Sequence, residues 1–171
     1  MNLLLAGNLV CLAGSVLMVA IGLIKEKKKI LEAQCLQFGI FTVGNLMLGG
    51  VSGAISDGIS IFRNLVCLRR EYTPALKLLF IALQLGLTAV FNNLGLIGWL
   101  PVIAACIYTW CMDRVSEVPL KALIIATQLM WATYDLTIQN YTTLAFDLMT
   151  VLSNLIGILV LLFYPNKKTG S

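Results

Sequence analysis

Seven long apolar segments, separated by short polar breaks, run through almost the whole chain. They cover residues 3–24, 31–49, 52–68, 75–91, 96–112, 119–137 and 142–164. A soluble domain cannot bury so much apolar surface, whereas a membrane helix needs about 17–25 such residues. Backbone groups in lipid must be paired within the chain, and these segments are continuous rather than alternating. The pattern predicts an all-α polytopic membrane protein with seven transmembrane helices in the lipid bilayer.

The composition narrows the classes of function. The chain is 59% hydrophobic and 12% charged, and it contains no histidine. Zincin motifs and Ser-His or Cys-His dyads are therefore impossible, so neither an enzyme nor a metal or other cofactor is expected. The net charge of +4 comes from short basic clusters without a nucleic-acid motif, so no nucleic-acid partner is expected. The five cysteines lie in apolar segments and are interpreted as small buried side chains.

Basic residues outside the spans fall on one side of the predicted membrane. They follow the first, third, fifth and seventh spans: Lys25, Lys27, Lys28, Lys29, Arg69, Arg70, Arg114, Lys167 and Lys168. The breaks on the other side carry no lysine or arginine. Because such residues are retained in the cytoplasm, the N-terminus is predicted outside and the C-terminus inside. Asn92 and Asn140 are then predicted to face outside.

The sequence repeats weakly at a spacing of ninety residues. The repeat pairs Phe41 with Trp131, Asn45 with Asp135, Asp57 with Asp147, Ser60 with Thr150, and Asn64 with Asn154. Polar residues are rare inside membrane spans, so their coincidence carries weight. Because an unpaired fourth span separates the two three-helix units, the repeat is parallel. The predicted divisions are a first repeat over 1–71, a linker helix over 72–94, a second repeat over 95–166 and a cytoplasmic tail over 167–171.

Three stretches resemble a known family. They are Gly53-Ala54 with Phe62 through Arg69, Leu100 through Ile103 with Thr109-Trp110, and Trp131 with Tyr134-Asp135. They resemble the YgjV family of bacterial inner-membrane proteins over nearly the whole chain, which implies the bacterial inner membrane as location. That family is similar in helical pattern to the SWEET, SemiSWEET and PQ-loop transporters, whose layout is 3+1+3.

The wider group implies a polar pocket near the middle of the membrane. Asparagines of the third and seventh helices and aromatics of the second and sixth would line it. Two departures argue against carrying over a sugar substrate. The chain has no Pro-Gln dipeptide, and Cys11 stands where the second repeat has Pro101.

Two matching polar stripes form the candidate solute site. The third span contributes one stripe and the seventh the other: Asp57, Ser60 and Asn64, then Asp147, Thr150 and Asn154. Spacing of i, i+3 and i+7 places each set on one helix face. The stripes are interpreted as facing walls of a hydrophilic pathway, with the acids near a flooded vestibule and both asparagines turned toward one cavity. The alternative is interhelical adhesion, which is favoured for Ser60 and Thr150.

Four further residues belong to the candidate site. Trp131 and Asp135 form either a platform for a ring-shaped solute or an interfacial aromatic group with its neighbour. Phe41 offers a second wall or simple packing. Arg63 lies about 120° from Asp57 around the helix. It either snorkels to the cytoplasmic boundary or binds an acid or an anionic solute.

The leading functional hypothesis is a transporter or facilitator of a small polar solute, in which the two three-helix units rock about a central pocket. A non-transporting helper, receptor or scaffold is the alternative. An intramembrane enzyme ranks third, with Asp57 and Asp147 as its only conceivable carboxylate dyad.

Overall fold

The computed structural model describes residues 2–21, 27–70, 72–111 and 117–163. These residues form seven α-helices: α1 (Leu3–Ile21), α2 (Lys27–Met47), α3 (Val51–Arg69), α4 (Pro74–Phe91), α5 (Leu100–Cys111), α6 (Glu117–Thr137) and α7 (Tyr141–Phe163). The bounds confirm the seven predicted helices to within a few residues. The predicted tail over 167–171 and the basic residues Lys25, Arg114, Lys167 and Lys168 lie outside the described residues.

Four of the helices are long and apolar enough to cross a membrane. They are α1, α3, α4 and the segment Tyr141–Leu159 of α7. Helix α5, with the 3-10 turn Ile97–Trp99 before it, forms a shorter apolar helix. Helices α2 and α6 have 21 residues each, and polar side chains along them lower their mean hydropathy. That all seven helices cross the membrane therefore remains a prediction.

The bundle is apolar on the outside and polar on the inside. Leucines such as Leu9, Leu83 and Leu152 are exposed, whereas Asp57 and Asp147 are buried. This distribution is the reverse of a soluble protein and suits a lipid solvent. Of the five cysteines only Cys11 is fully buried, and the other four are partly exposed, which corrects the expectation that all would be interior.

The helix contacts recur at the spacing of the sequence repeat. Helix α2 packs against both α1 and α3, and α6 packs against both α5 and α7. The groups α1–α3 and α5–α7, here called the first and second units, contact each other through α1 with α7 and through α3 with α5, and these pairs exchange under a shift of ninety residues. Helix α4 packs on α3 and α5, at the outside of this arrangement.

The turn between α2 and α3 is a Schellman motif. Gly49 has a φ of +76°, in the left-handed region that glycine adopts readily. Its N–H donates to the Leu46 carbonyl at 3.2 Å, and the N–H of Gly50 donates to the Asn45 carbonyl at 2.7 Å. These two bonds satisfy the last carbonyls of α2.

The turn between α6 and α7 has the same geometry ninety residues later. Gln139 has a φ of +60°. Its N–H donates to the Leu136 carbonyl at 3.3 Å, and the N–H of Asn140 donates to the Asp135 carbonyl at 2.8 Å. Both turns lie at one end of the bundle, here called the hairpin end.

The first helices of the two units differ at the hairpin end. Helix α1 has 19 residues, whereas α5 has 12 and follows a 3-10 turn. Gly95, with a φ of +56°, reverses the chain before that turn. The helices end at equivalent positions, Ile21 and Cys111. The second unit thus replaces the start of a continuous helix with a bend.

Candidate functional site

A cavity of about 950 Å³ lies between the two units. Helices α1, α2, α3, α5, α6 and α7 all line it, and α4 contributes none of its described lining. Arg69 and Arg70 at the end of α3 border it, so it reaches the end opposite the hairpin turns, here called the arginine end. Its polar and aromatic lining includes Gln34, Gln37, Ser56, Asp57, Ser60, Arg63, Asn64, Tyr108, Thr127, Gln128, Trp131 and Thr150.

Arg63 is held inside the bundle by uncharged groups. Its side chain is 9% exposed, and Nη1 donates to Thr109 Oγ1 of α5 at 3.0 Å. Nε and Nη2 both donate to Asn64 Oδ1 at 3.3 Å, while Asn64 Nδ2 donates to Gln34 Oε1 at 3.1 Å. The snorkelling interpretation therefore does not describe Arg63. The group joins α2 and α3 of the first unit to α5 of the second.

A second cavity, of about 120 Å³, lies on the hairpin side of the large one. Five polar or aromatic residues line both cavities: Gln37, Phe38, Asp57, Gln128 and Trp131. Phe41, Asn45, Asp135, Asn140, Thr143 and Asp147 complete its polar and aromatic lining. Aspartates from α3, α6 and α7 thus meet at the inner end of the space between the units.

Each of the three aspartates is buried and accepts a hydrogen bond from an amide. Asn45 Nδ2 donates to Asp57 Oδ2 at 2.9 Å. Gln128 Nε2 donates to Asp147 Oδ1 at 2.9 Å, and Asn140 Nδ2 donates to Asp135 Oδ1 at 3.2 Å. Asp57 and Asp147 are only 5% and 3% exposed, so the structure does not show the open vestibule expected around them at the hairpin end. The amide hydrogen bonds offset part of the cost of burying these carboxyl groups.

The carboxyl pair is not the one considered from the sequence. Asp135 and Asp147 lie on the packed helices α6 and α7, on either side of one hairpin turn, and both line the small cavity. Asp57 lies on α3 and pairs with Asn45, so the nearest carboxyl neighbour of Asp147 along the chain fold is Asp135 rather than Asp57. The reason is local, since consecutive antiparallel helices place residues on either side of a turn close together.

Asn154 is the one candidate residue that lines neither cavity. It is half-buried, and its Nδ2 donates to the Thr150 carbonyl of its own helix at 2.9 Å. The expected convergence of Asn64 and Asn154 on one cavity is therefore not observed. Asn154 lies one turn beyond Thr150, the α7 residue that lines the large cavity.

Several lining residues escaped the sequence analysis. Gln34 and Gln37 lie three residues apart on α2, a spacing that places both on one helix face, and this was the available signal. Thr109, which lies outside the described lining, gave no signal for its contact with Arg63, because a lone threonine in a membrane helix is common. Asn140 was assigned to an exposed turn, but it is 1% exposed and also contacts Cys11 Sγ at 3.4 Å.

The hairpin end is closed by Tyr134. The Gly53 N–H donates to its phenolic oxygen at 2.8 Å, which joins the first unit to the second. This N–H belongs to the first turn of α3, and the preceding cap residue, Gly50, has no side chain to satisfy it. At the equivalent place in α7, Asn140 Oδ1 accepts from the Thr143 N–H at 3.3 Å. The missing cap in the first unit thus creates a contact between the units.

Asn8 of α1 and Asn93, which follows α4, also hold the two turns. Asn8 Nδ2 donates to the Gln139 carbonyl at 3.0 Å, and Asn8 Oδ1 accepts from the Thr142 hydroxyl at 3.2 Å. Asn93 Nδ2 donates to the Gly49 carbonyl at 3.1 Å. These bonds, with the Tyr134 contact, close the hairpin end while the arginine end borders the large cavity.

The family model Imp-YgjV, described as a bacterial inner membrane protein, matches residues 5–162. The chain belongs to this family. The match confirms the resemblance to the YgjV family, and it covers both turns and every lining residue of the two cavities described above. No curated protein and no solved structure matches this YgjV-family protein. It is therefore a helical protein of the bacterial inner membrane.

Proposed function

We propose that this YgjV-family protein is a transporter or facilitator of a small polar solute, working by alternating access. One observation carries the proposal: six helices from both units line a cavity of about 950 Å³ that reaches one end of the bundle and is closed at the other. A volume of this size fits a small-molecule site, which typically occupies about 300–1,000 Å³. We propose no catalytic role and no cofactor.

The proposed architecture is a 3+1+3 arrangement similar to that of SWEETs, with the divisions 1–71, 72–94, 95–166 and 167–171. The recurring turns and the exchanged contacts of α1 with α7 and α3 with α5 support it. In such an arrangement the two units rock about a central site. The position of α4, outside the cavity lining, suits a linker.

The free-energy cost of opening the hairpin end is small enough to allow such rocking. Opening breaks the Tyr134 contact and the bonds of Asn8 and Asn93. With the Thr142 N–H, which also donates to Asn8 Oδ1, these are five hydrogen bonds, and at about 0.5–1.5 kcal/mol net each they total about 2.5–7.5 kcal/mol. To convert the protein almost completely from one closed state to the other, a solute must bind the second state about 5.5 kcal/mol more tightly than the first. A solute that contacts both units can provide this.

The proposed orientation places the N-terminus outside and the arginine end in the cytoplasm. The basic residues described at that end, Lys28, Arg69 and Arg70, support it. With this orientation the structure is an inward-facing state, in which the solute site communicates with the cytoplasm.

The side chains that line the large cavity indicate which chemical groups the solute must contain. Arg63 has uncharged partners, so an acceptor oxygen of the solute would find a donor there. Gln34 and Asn64 offer amides, and Trp131 offers an aromatic face. A small solute with an anionic or strongly accepting group at one end and a ring at the other fits this set.

The test is a solute panel on purified protein. Organic acids, sugars, nucleosides, vitamins and amines would be screened for an increase in melting temperature, and hits tested for uptake into proteoliposomes. Asn64→Leu should abolish the response to a hit, because the solute loses a partner from the cavity wall. Asn154→Leu is the matched control, since Asn154 bonds to its own helix, and it should retain the response.

A panel in which no compound binds or moves would favour the non-transporting helper. Equal responses of both variants would remove Asn64 from the site. In a helper, the polar cavity residues would serve stability alone, and Asn64→Leu would lower only the melting temperature.

A further inference from the structure

Helices α6 and α7 bring two aspartate side chains together inside the bundle. Asp135 is 1% exposed and Asp147 is 3% exposed. Both carboxyl groups line the same small cavity, on helices α6 and α7, which pack against each other. One oxygen of each is satisfied, by Asn140 and Gln128 respectively. The other oxygen of each, Oδ2, receives no hydrogen bond from any N–H or O–H group among the described residues.

Two ionised carboxylates in this position would repel each other without compensation. Like charges that share a buried site cannot both persist, and one of them takes up a proton. The lining of the small cavity contains no lysine or arginine among the residues that the structure describes. The titratable groups around the pair are Asp57 on α3, Cys11 on α1 and Tyr134 on α6, and none of them is a cation. Helices α2 and α5 contribute no titratable side chain to this lining.

The repeat shows what the second unit lacks. In the first unit Asn45 donates its amide hydrogen to Asp57 at 2.9 Å. Ninety residues later Asp135 takes the place of Asn45, and Asp147 takes the place of Asp57. An aspartate can act as the donor in this position only when it is protonated. A hydrogen bond between Asp135 and Asp147, equivalent to the one between Asn45 and Asp57, therefore needs a hydrogen that only a protonated carboxyl group can supply.

We propose that Asp135 and Asp147 share one buried proton and form a proton-binding site. In the closed state an O–H group on one carboxyl donates to the free oxygen of the other, so the pair carries one negative charge. When the hairpin end opens and water enters, the proton leaves to water and both carboxylates are left ionised. No bond other than the O–H bond breaks, and no electron moves.

Proton sharing does not depend on transport, but its use for coupling rests on the proposed function. Asp135 is adjacent to Tyr134, which closes the hairpin end, and its partner Asn140 contacts Cys11 of α1. Release of the proton would place two charges beside these contacts and favour their opening. A transporter with this site would move its solute together with a proton.

Infrared spectroscopy and thermal unfolding of the purified protein test the site without any solute. The wild type should show a carbonyl band of a buried protonated carboxylic acid, which disappears as the pH is raised, and its melting temperature should fall over the same range. Asp135→Asn supplies the donor permanently, as Asn45 does, so this band and most of this pH dependence should be lost. Asp147→Asn is the second variant, with the same expectation, should the first fail to fold.

Asp57→Asn is the matched control, because it removes a buried carboxyl of the same cavity that does not belong to the proposed pair. It should retain the titrating band. Persistence of the band in both Asp135→Asn and Asp147→Asn would overturn the proposal. A wild type without such a band, whose melting temperature at high pH rises with Na⁺ but not with choline, would also overturn it, since a metal cation would then replace the proton. Both results leave the solute panel unaffected, so the two proposals fail separately.

Discussion

The phenolic oxygen of Tyr134 accepts a 2.8 Å hydrogen bond from the backbone N–H of Gly53, across the boundary between the two three-helix units. Gly50 and Gly53, which lie beside the Tyr134 ring, must both lack a side chain for this contact to form. A Cβ on Gly50 would lie 2.5 Å from the phenolic oxygen, and a Cβ on Gly53 would lie 2.9 Å from the ring. The closed hairpin end therefore depends on a tyrosine in one unit and two glycines in the other.

Tyr134→Phe should destabilise the closed state. The Gly53 N–H, in the first turn of α3, loses its partner, at a cost of about 1–3 kcal/mol. We expect a lower melting temperature in detergent and faster labelling of a single cysteine placed in the small cavity. Tyr141→Phe is the control, because Tyr141 is 55% exposed, and it should match the wild type. Equal behaviour of the two variants would show that the phenol contributes nothing to closure.

The two turns offer a reciprocal prediction. Gln139 adopts a left-handed conformation with a φ of +60°, whereas Gly49 occupies the equivalent place with a φ of +76°. A side chain in this region costs about 1–2 kcal/mol relative to glycine. Gln139→Gly should therefore raise the melting temperature and Gly49→Gln should lower it. Changes of the same sign in both variants would contradict the equivalence of the turns.

Arg63 should contribute to binding more than to stability. Its guanidinium is buried among uncharged partners, so replacing it by an apolar side chain removes a desolvated charge together with its hydrogen bonds. Arg63→Met should change the unfolding free energy by only about 1 kcal/mol in either direction, because these effects oppose each other. The same variant should lose the response to any anionic solute found in the panel.

Arg63→Lys is the informative control for that prediction. Lysine keeps the charge but not the planar fork that reaches Thr109 and Asn64 together. It should restore part of the solute response. A large fall in melting temperature with solute binding intact would instead make Arg63 a structural residue.

The orientation can be tested by cysteine labelling in intact cells. In a variant without its five native cysteines, a cysteine at Gln139 should react with an impermeant maleimide, and one at Arg70 should not. Both positions are exposed in the structure, unlike Asn140, which is buried and unsuitable as a reporter. The reverse pattern would invert the proposed orientation and make the structure an outward-facing state.

The helices could be predicted from the sequence because a membrane helix is recognised by its length and its hydropathy. The repeat was also predictable, since polar residues such as Asp57 and Asp147 recur at one spacing. Helical periodicity correctly indicated that Asp57, Ser60 and Asn64 share a face, and all three line the large cavity. These signals lie within single helices.

What sequence could not reveal depends on how helices face each other. The angular offset of Arg63 from the stripe suggested another surface, but its long side chain reaches Thr109 of α5 and lines the same cavity. Asn154 matched Asn64 in position yet turned to its own helix. The Tyr134 contact involves the N–H of Gly53, which no capping side chain of α3 satisfies. Because the capping side chain is absent, no residue in the sequence indicates this contact.

The bend before α5 has a consequence for the surrounding lipid. At a rise of about 1.5 Å per residue, α1 is about 28 Å long and α5 about 18 Å, with about 6 Å more from the 3-10 turn. The hydrocarbon core of a bilayer is about 30 Å thick. Ile103 and Ile107 are exposed on α5, so this short helix borders acyl chains directly. We therefore expect the bilayer to be thinner beside α5 than beside α1, and lipids with shorter chains should suit the protein at α5.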